Sequence, residues 1–272
     1  MKPVVMAPLD GSPDAEAALP WAVYLAQKAL GELKLVGVHA PPAVLLDGQT
    51  VVGSVVPDDT VRGQEETYFS EVQARLRTAG VPVSADLIDG SVITSLAAYA
   101  ATKRPDWVVM LSHHRGAVAR FFLGETALEF VRESPCPVLL IPEGRAPTAP
   151  DVREVLVPLD GSPLSETMIG PAVKFASTVG ARLSLVNVGT GDRANELEPL
   201  ARANGAQLII IEGDAATAIV AAAEARPGSV VALATHARGG LVKLFRGSVA
   251  DDIVHRIKTP VLLMKGEEPA TT

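Results

Sequence analysis

The sequence predicts an α/β protein made of two tandem doubly wound domains, each with a five-stranded parallel sheet. Three observations support this prediction: a duplicated motif, an alternation of apolar runs with helical patterns, and a length of 272 residues. At roughly 150 residues per domain, this length is typical of two domains. The motif Pro-Leu-Asp-Gly-Ser-Pro occupies residues 8–13 and recurs at residues 158–163, so the two copies begin 150 residues apart.

The duplication continues through most of the chain, with a change in its spacing. Beyond the second predicted strand, His113 matches His236 and Gly124 matches Gly247, which is an offset of 123 residues instead of 150. The first copy therefore carries 27 additional residues between positions 38 and 90. Residues 143–150 contain a glycine and two prolines, a composition typical of an exposed linker. We therefore expect one domain at residues 1–143 and a second at residues 152–267.

Ten short apolar runs predict the strands, five in each copy. They are Pro3–Leu9, Leu33–His39, Val83–Ile88, Trp107–Leu111 and Pro137–Pro142 in the first copy, and Glu154–Leu159, Leu183–Val188, Gln207–Glu212, Val230–Thr235 and Pro260–Lys265 in the second. Trp107–Leu111 is nearly all apolar, which is typical of a strand buried on both faces of a sheet.

Helical patterns separate these runs. Ser12 is a favourable N-cap, Pro13 suits the first helical turn, and apolar residues continue at helical spacing to about Leu30. The other predicted helices are Gln64–Thr78, Val92–Lys103, Gly124–Glu133, Glu166–Val179, Glu196–Asn204, Ala215–Ala225 and Ser248–Lys258. Strands that alternate with helices form parallel sheets with helices on both faces, and ligands bind beyond the carboxyl ends of the strands.

The additional residues of the first copy predict a surface loop. Gly48, Gly53 and Pro57, together with the paired valines at 51–52 and 55–56, lack a helical period. We expect Pro41–Arg62 to form a loop over the ligand end of the first domain. Its apolar valines favour packing against the protein, and the pocket of the first copy is the expected contact.

Composition excludes several functional classes. The net charge of −7 and the aromatic content of 4% argue against nucleic-acid partners, because phosphate backbones attract cationic surfaces and single strands stack on aromatic side chains. No run of about 18 apolar residues occurs, so no membrane association is expected. The single cysteine, Cys136, excludes a disulfide scaffold and suits a reducing compartment, which predicts a cytoplasmic protein.

The Asp-Gly-Ser-Pro loop that follows the first strand of each copy is a candidate binding element. Asp10 and Asp160 can accept hydrogen bonds from a ribose hydroxyl or an adenine amine. The helix that begins after Ser12 or Ser162 favours an anion at its N-terminus. The alternative is a plain strand-to-helix turn, in which glycine supplies the geometry and serine caps the helix.

A second loop carries the resemblance to a known family. After the fourth strand of the second copy the chain reads Thr-His-Ala-Arg-Gly-Gly-Leu at residues 235–241, then Gly-Ser-Val-Ala at 247–250 and Pro-Val-Leu-Leu at 260–263. Together with the duplicated Pro-Leu-Asp-Gly-Ser, this ordered set resembles the universal stress protein family in its tandem two-domain form. The resemblance covers nearly the whole chain.

The resemblance implies an adenine nucleotide alpha hydrolase-like fold whose domains pair through their last strands. In a tandem chain this pairing is internal, with Val138–Ile141 against Val261–Met264. It would bury apolar strands that would otherwise be exposed edges. The two copies would then form a covalent pseudo-dimer, and a homodimer of the whole chain stays an open alternative.

The resemblance also implies a nucleotide site of unequal quality in the two copies. The nucleotide-binding branch of the family carries the pattern Gly-x2-Gly-x9-Gly-Ser/Thr, whose backbone amides approach phosphates. This frame falls on Ala234, Ala237, Gly247 and Ser248 in the second copy, and on Leu111, His114, Gly124 and Glu125 in the first. We therefore expect a weakened site in the second copy and a lost site in the first, where a carboxylate would repel phosphate.

The residues that the resemblance assigns to the site follow from this frame. The nucleotide-binding residues of the second copy would be Pro158, Asp160, Val188, Ala234, Ala237, Arg238, Gly247, Ser248 and Val249. The degenerate site of the first copy would contain Pro8, Asp10, Val38 and Gly124. Arg238, Lys243 and Arg246 could attract phosphates, or they could form a solvated polar face.

The sequence offers no catalytic or metal-binding constellation. The histidines do not occur at zinc-ligand spacing, and no Gly-x-Ser-x-Gly elbow is present. We therefore expect a stress-response protein that binds ATP or a related adenine nucleotide, with Mg²⁺ as a candidate companion, and that has no committed catalysis. The alternatives are a scaffold of the same fold that acts through protein partners, and an adenylating enzyme. The latter is disfavoured because a Ser-Gly-Gly-x-Asp-Ser loop is missing after the first strand.

Overall fold

The computed structural model describes residues 2–40, 43–46, 49–52, 58–112, 124–142, 150–236 and 249–266. The strands are β1 (Val4–Pro8), β2 (Glu32–His39), β3 (Ala43–Leu46), β4 (Gln49–Val52), β5 (Val83–Asp89), β6 (Trp107–Ser112), β7 (Val138–Pro142), β8 (Glu154–Pro158), β9 (Arg182–Val188), β10 (Gln207–Ile211), β11 (Ser229–His236) and β12 (Val261–Gly266). The α-helices are α1 (Pro13–Glu16), α2 (Leu19–Lys28), α3 (Asp58–Leu76), α4 (Val92–Lys103), α5 (Gly124–Glu133), α6 (Pro163–Glu166), α7 (Ile169–Val179), α8 (Ala194–Ala203), α9 (Ala215–Glu224) and α10 (Val249–Arg256).

Ten of these strands form one continuous sheet. Their order is β10-β9-β8-β11-β12-β7-β6-β1-β2-β5. The strands within each copy are parallel to their neighbours, whereas β12 pairs antiparallel with β7, with Leu262 opposite Leu139. The predicted fold class and the pairing through the last strands are therefore confirmed.

The antiparallel pairing places the two ligand edges at opposite ends of the sheet. All five strands of the first copy run against those of the second, so their carboxyl ends point in opposite directions. Parallel sheets bind ligands at these ends. A ligand in one copy would therefore lie far from the equivalent position in the other.

Both faces of the sheet are covered, and each face has a core that spans the two copies. Every residue of β6 and β7 is buried, as predicted for Trp107–Leu111. On one face Trp107 stacks edge-on with Phe175 of α7, at a centroid distance of 6.4 Å. Lys174 lies over the same indole and pairs with Asp106. Burial of such aromatic side chains contributes on the order of 2–3 kcal/mol each, so the two copies stabilise each other.

The first helical segment of each copy is interrupted, which corrects the prediction of single helices from Ser12 to about Leu30 and over Glu166–Val179. The structure has α1 and α2 in the first copy, and α6 and α7 in the second. Pro20 and Pro171 lie in the first turns of α2 and α7. Proline has no backbone N–H to continue a preceding helix, but it is tolerated in a first turn, so a new helix begins there.

The additional segment of the first copy is not a plain loop, so the prediction for Pro41–Arg62 is wrong in part. β3 and β4 form an antiparallel hairpin, and α3 begins at Asp58 instead of Gln64. The sequence Asp47-Gly48 between the two strands is typical of hairpin turns, a signal that the prediction overlooked. Residues 53–57, including Val55, lie outside the described residues, and packing of the segment over the pocket of the first copy stays a prediction.

In the part of the chain that the structure describes, no helix combines the length and the apolar character needed to cross a bilayer.

Candidate functional site

A cavity of about 250 Å³ opens in the second copy at the carboxyl ends of β8 and β11. The sheet order reverses between these strands, because the chain passes from β8 outward to β9 and later returns to β11. This is where parallel α/β sheets bind ligands. The cavity is lined by Pro158, Leu159, Asp160, Ser162, Leu164, Ser165, Val186, Val188, Ala215, Ile219, Leu233, Ala234, Thr235, Val249 and Ala250.

The lining of the cavity is mostly apolar and includes a few polar side chains. Valine, leucine, isoleucine and proline side chains form most of the described lining, and Asp160 is the charged residue among them. Apolar walls with a few placed polar groups are typical of sites for small organic ligands. The described lining therefore suits an organic ligand better than it suits a bare anion.

Asp160 is held in place by the serine two residues later. Its Oδ1 accepts hydrogen bonds from Ser162 N at 2.9 Å and from Ser162 Oγ at 2.6 Å. Ser162 Oγ in turn accepts from Ser165 N at 3.2 Å and caps α6. Partial burial raises the pKa of Asp160, but the hydrogen bonds from Ser162 and Ser165 outweigh it and leave the pKa below its ordinary value. The carboxylate is therefore ionised at neutral pH and available as an acceptor.

Three successive backbone carbonyls of the Asp160 turn accept hydrogen bonds from β9 and the start of α8. Asn187 Nδ2 donates to Leu159 O at 2.8 Å, and the guanidinium of Arg193 donates to Asp160 O and to Gly161 O. Gly161 has a φ of +78°, and a β-carbon there would lie 1.6 Å from Arg193 Nη1. Glycine is therefore required at this position both by the backbone and by the arginine. Sequence reasoning did not identify Asn187 or Arg193.

The corresponding turn of the first copy has the same local geometry in different surroundings. Asp10 Oδ1 accepts from Ser12 N at 2.9 Å and from Ser12 Oγ at 2.6 Å. Gly37 occupies the position of Asn187, and a β-carbon on it would lie 2.3 Å from Phe69 Cε2 of α3. An aromatic ring from α3 thus fills space at β2 that a polar side chain occupies at β9.

The predicted residues of the second copy converge on this cavity where the structure describes them. Pro158, Asp160, Val188, Ala234 and Val249 all line it. Four others, Ala237, Arg238, Gly247 and Ser248, lie outside the described residues. In the first copy, Pro8 ends β1 beside Asp10, Val38 lies near the end of β2, and Gly124 begins α5.

Two features of the cavity were not predicted. Thr235 and Ser165 add hydroxyl groups to the lining. Thr235 lies inside the family frame between Ala234 and His236, so the frame itself was the signal that could have identified it. The first turn of α10 also carries Asp251 and Asp252, and negative charge there disfavours an anion at the same helix end.

Within the described ranges, histidine, cysteine, aspartate and glutamate do not gather in groups of three or more that could hold a metal ion.

Comparison with known proteins identifies the family. The model of the universal stress protein family matches residues 1–142 and 191–265. The universal stress protein Rv2005c of Mycobacterium tuberculosis is 28% identical over 292 residues, covering 96% of this chain and 96% of the relative. A universal stress protein structure from Archaeoglobus fulgidus superposes with a TM-score of 0.79 at 18% identity, covering 97% of this chain and 99% of that one. One from Pseudomonas aeruginosa has a TM-score of 0.66 at 18% identity, with coverages of 97% and 93%. The two solved structures support the fold alone, because they are only 18% identical to this chain. The family model matches most of the chain. The chain therefore belongs to the universal stress protein family.

Proposed function

We propose that this universal stress protein binds ATP or a related adenine nucleotide in the cavity of the second copy and has no committed catalysis. The observation that carries the proposal is the convergence of Asp160, Pro158, Val188 and Ala234 on one cavity at the reversal of strand order. The ionised carboxylate of Asp160 would accept hydrogen bonds from the nucleoside, and the apolar walls would enclose the base. Residues 237–248 would complete the phosphate side through Ala237, Arg238, Gly247 and Ser248.

The same proposal includes the domain bounds, the location, the pairing of the two copies and the binding of Mg²⁺. We take residues 1–143 and 152–267 as the two domains and the cytoplasm as the location. The pairing of β7 with β12 would replace the pairing of separate subunits. Mg²⁺ would be held mainly by the phosphates of the nucleotide, because Asp160 is the one carboxylate in the described lining. The first domain, with Asp10 but a lost phosphate frame, would bind nucleotide weakly or not at all.

A scaffold that acts through protein partners is the second candidate function. It is favoured by Ala234 and Ala237, which replace two glycines of the phosphate frame, and by the acidic first turn of α10. A methyl group at a site of close approach costs about 1–3 kcal/mol, so the expected dissociation constant for ATP is on the order of 10–100 μM.

Mass spectrometry of small molecules released from the denatured purified protein, followed by titration calorimetry with ATP, tests the proposal. We expect an adenine nucleotide in the released fraction or measurable heat at millimolar ATP, with about one site per chain. Absence of both a released nucleotide and any heat or thermal shift at millimolar ATP would reject nucleotide binding and favour the scaffold.

A further inference from the structure

Thr235 has a hydroxyl group that the described protein leaves without a partner. The residue lies near the end of β11, lines the cavity of the second copy and is 1% exposed. Its Oγ1 is buried, and among the described residues it has no hydrogen-bond partner. Buried hydroxyl groups are almost always hydrogen-bonded, because the contacts with water that they lose must be replaced. Thr235 is therefore an exception that calls for a partner from elsewhere.

The matching residue of the first copy does not share this property. Ser112 is also buried near the end of its strand, and its Oγ donates to Ile141 O of β7 at 3.3 Å. Ile141 corresponds to Met264, which pairs with Ala234 in the second copy as Ile141 pairs with Leu111 in the first. Met264 thus occupies the position that Ile141 has in the first copy, but Thr235 Oγ1 forms no hydrogen bond to the Met264 carbonyl.

We propose that Thr235 Oγ1 hydrogen-bonds the nucleoside part of the ligand in this cavity, an inference that rests on the nucleotide binding proposed above. β8 and β11 are adjacent parallel strands, so their carboxyl ends lie side by side. Asp160 and Thr235 therefore line the same cavity from neighbouring strands. A carboxylate only accepts hydrogen bonds, whereas a hydroxyl both donates and accepts. The pair can therefore satisfy a ribose hydroxyl or a heterocycle that presents both kinds of group.

Binding through Thr235 requires a small rearrangement. Because Oγ1 is buried in this conformation, a change of the side-chain rotamer must turn the hydroxyl toward the ligand. The hydroxyl gives up no hydrogen bond to a described residue when it moves. In the first copy the same change at Ser112 would break the hydrogen bond to Ile141 O, which adds to the asymmetry between the copies.

The test compares Thr235→Val, which removes the hydroxyl at nearly constant shape, with Thr235→Ser, which keeps it. Ser112→Ala is the matched control in the first copy. Titration calorimetry with ATP and with adenosine gives the affinities, and thermal unfolding without ligand gives the stability. We expect Thr235→Val to weaken both ligands about five- to ten-fold, as for loss of one hydrogen bond. Thr235→Ser should stay within about three-fold of the wild type, and Ser112→Ala should leave both affinities unchanged.

Each contrary result has a distinct meaning. If the wild type binds ATP and Thr235→Val binds it equally well, the Thr235 proposal fails and nucleotide binding stands. If Thr235→Ser loses as much affinity as Thr235→Val, the methyl group is what matters and the proposal is overturned. A lower melting temperature of both ligand-free Thr235→Val and ligand-free Thr235→Ala, with Thr235→Ser unchanged, would show that the hydroxyl has a partner within the chain, which also overturns the proposal. If Thr235→Val alone folds poorly by circular dichroism, Thr235→Ala supplies the comparison of affinities. No binding by the wild type would reject the proposed function itself.

Discussion

Leu139 of β7 lies opposite Leu262 of β12 in the antiparallel register that joins the two halves of the sheet. Both side chains are almost fully buried, at 1% and 0% exposure. The two edges that the strands would otherwise expose are rich in leucine and valine, a composition that promotes aggregation when unpaired. We therefore expect the packing at this junction to contribute to the stability of the whole sheet.

Shortening a buried side chain at this junction should lower the stability of the protein. We expect Leu262→Ala to lower the free energy of unfolding by about 2–5 kcal/mol, because it removes a buried side chain and leaves a cavity. Chemical denaturation followed by circular dichroism measures the change. Ile210→Ala on the edge strand β10, where the side chain is 39% exposed, is the control and should cost clearly less. Equal costs for the two variants would contradict a tightly packed junction.

A strained residue near the end of α2 offers a stabilising substitution. Leu30 has a φ of +51° and is 85% exposed, whereas the matching residue of the second copy is Gly180 with a φ of +74°. Side chains with a β-carbon are disfavoured in this region by about 1–2 kcal/mol. Leu30→Gly should therefore raise the free energy of unfolding by about 1 kcal/mol, and Gly180→Leu should lower it by a similar amount. Denaturant titrations of both variants check this, and stabilisation by Gly180→Leu would refute it.

Arg193 is expected to position the Asp160 turn for binding. Arg193→Ala removes the donors to Asp160 O and Gly161 O, so the turn should become more mobile and ATP affinity should fall about three- to ten-fold. Arg202→Ala is a matched control, since Arg202 lies in α8, the helix that Arg193 precedes, and pairs with Glu198 at the surface. Calorimetry should show weaker ATP binding for Arg193→Ala and unchanged ATP binding for Arg202→Ala. Arg193→Lys should keep more of the ATP affinity than Arg193→Ala does. Equal affinities of Arg193→Ala and wild type would argue against a positioning role.

The ionisation of Asp160 predicts a pH dependence of stability. The pKa of Asp160 in the folded protein lies below its ordinary value of 3.8, so the hydrogen-bonded carboxylate stabilises the fold fully above that value. The contribution is lost as the pH falls through the lowered pKa. The difference in unfolding free energy between wild type and Asp160→Asn should therefore be constant from about pH 7 to pH 5 and shrink at more acidic pH. A difference that widens toward acidic pH would have the wrong sign.

The sequence was sufficient to predict the sheet because its signals are local and repeated. The apolar run at Trp107 and the serine cap at Ser12 depend on neighbouring residues, and each of the ten predicted strands is found within two residues of its predicted bounds. The duplicated Pro-Leu-Asp-Gly-Ser motif fixed the relation between the copies. The breaks at Pro20 and Pro171 also have a signal in the sequence, because proline lacks the backbone N–H that would continue a helix, but the apolar helical spacing continues across both prolines and favours a single helix.

The remaining parts of the site depend on contacts between distant segments. Arg193 meets Asp160 across 33 residues and Asn187 meets Leu159 across 28 residues, and neither belongs to a motif. The hydroxyl of Thr235 becomes informative only when the burial of Oγ1 and the hydrogen bond of Ser112 are known. Single-sequence patterns do not contain such tertiary relations, whereas the positions of Asp160, Val188 and Ala234 follow from the repeat and its frame.

The central claim is that nucleotide binds through Asp160 in the second copy and not through Asp10 in the first. Titration calorimetry with ATP on Asp160→Ala and Asp10→Ala tests it most directly, because the two aspartates make the same hydrogen bonds to Ser162 and Ser12. The account predicts loss of measurable ATP binding in Asp160→Ala and nearly unchanged affinity in Asp10→Ala. Loss of binding in Asp10→Ala with retention in Asp160→Ala would contradict it.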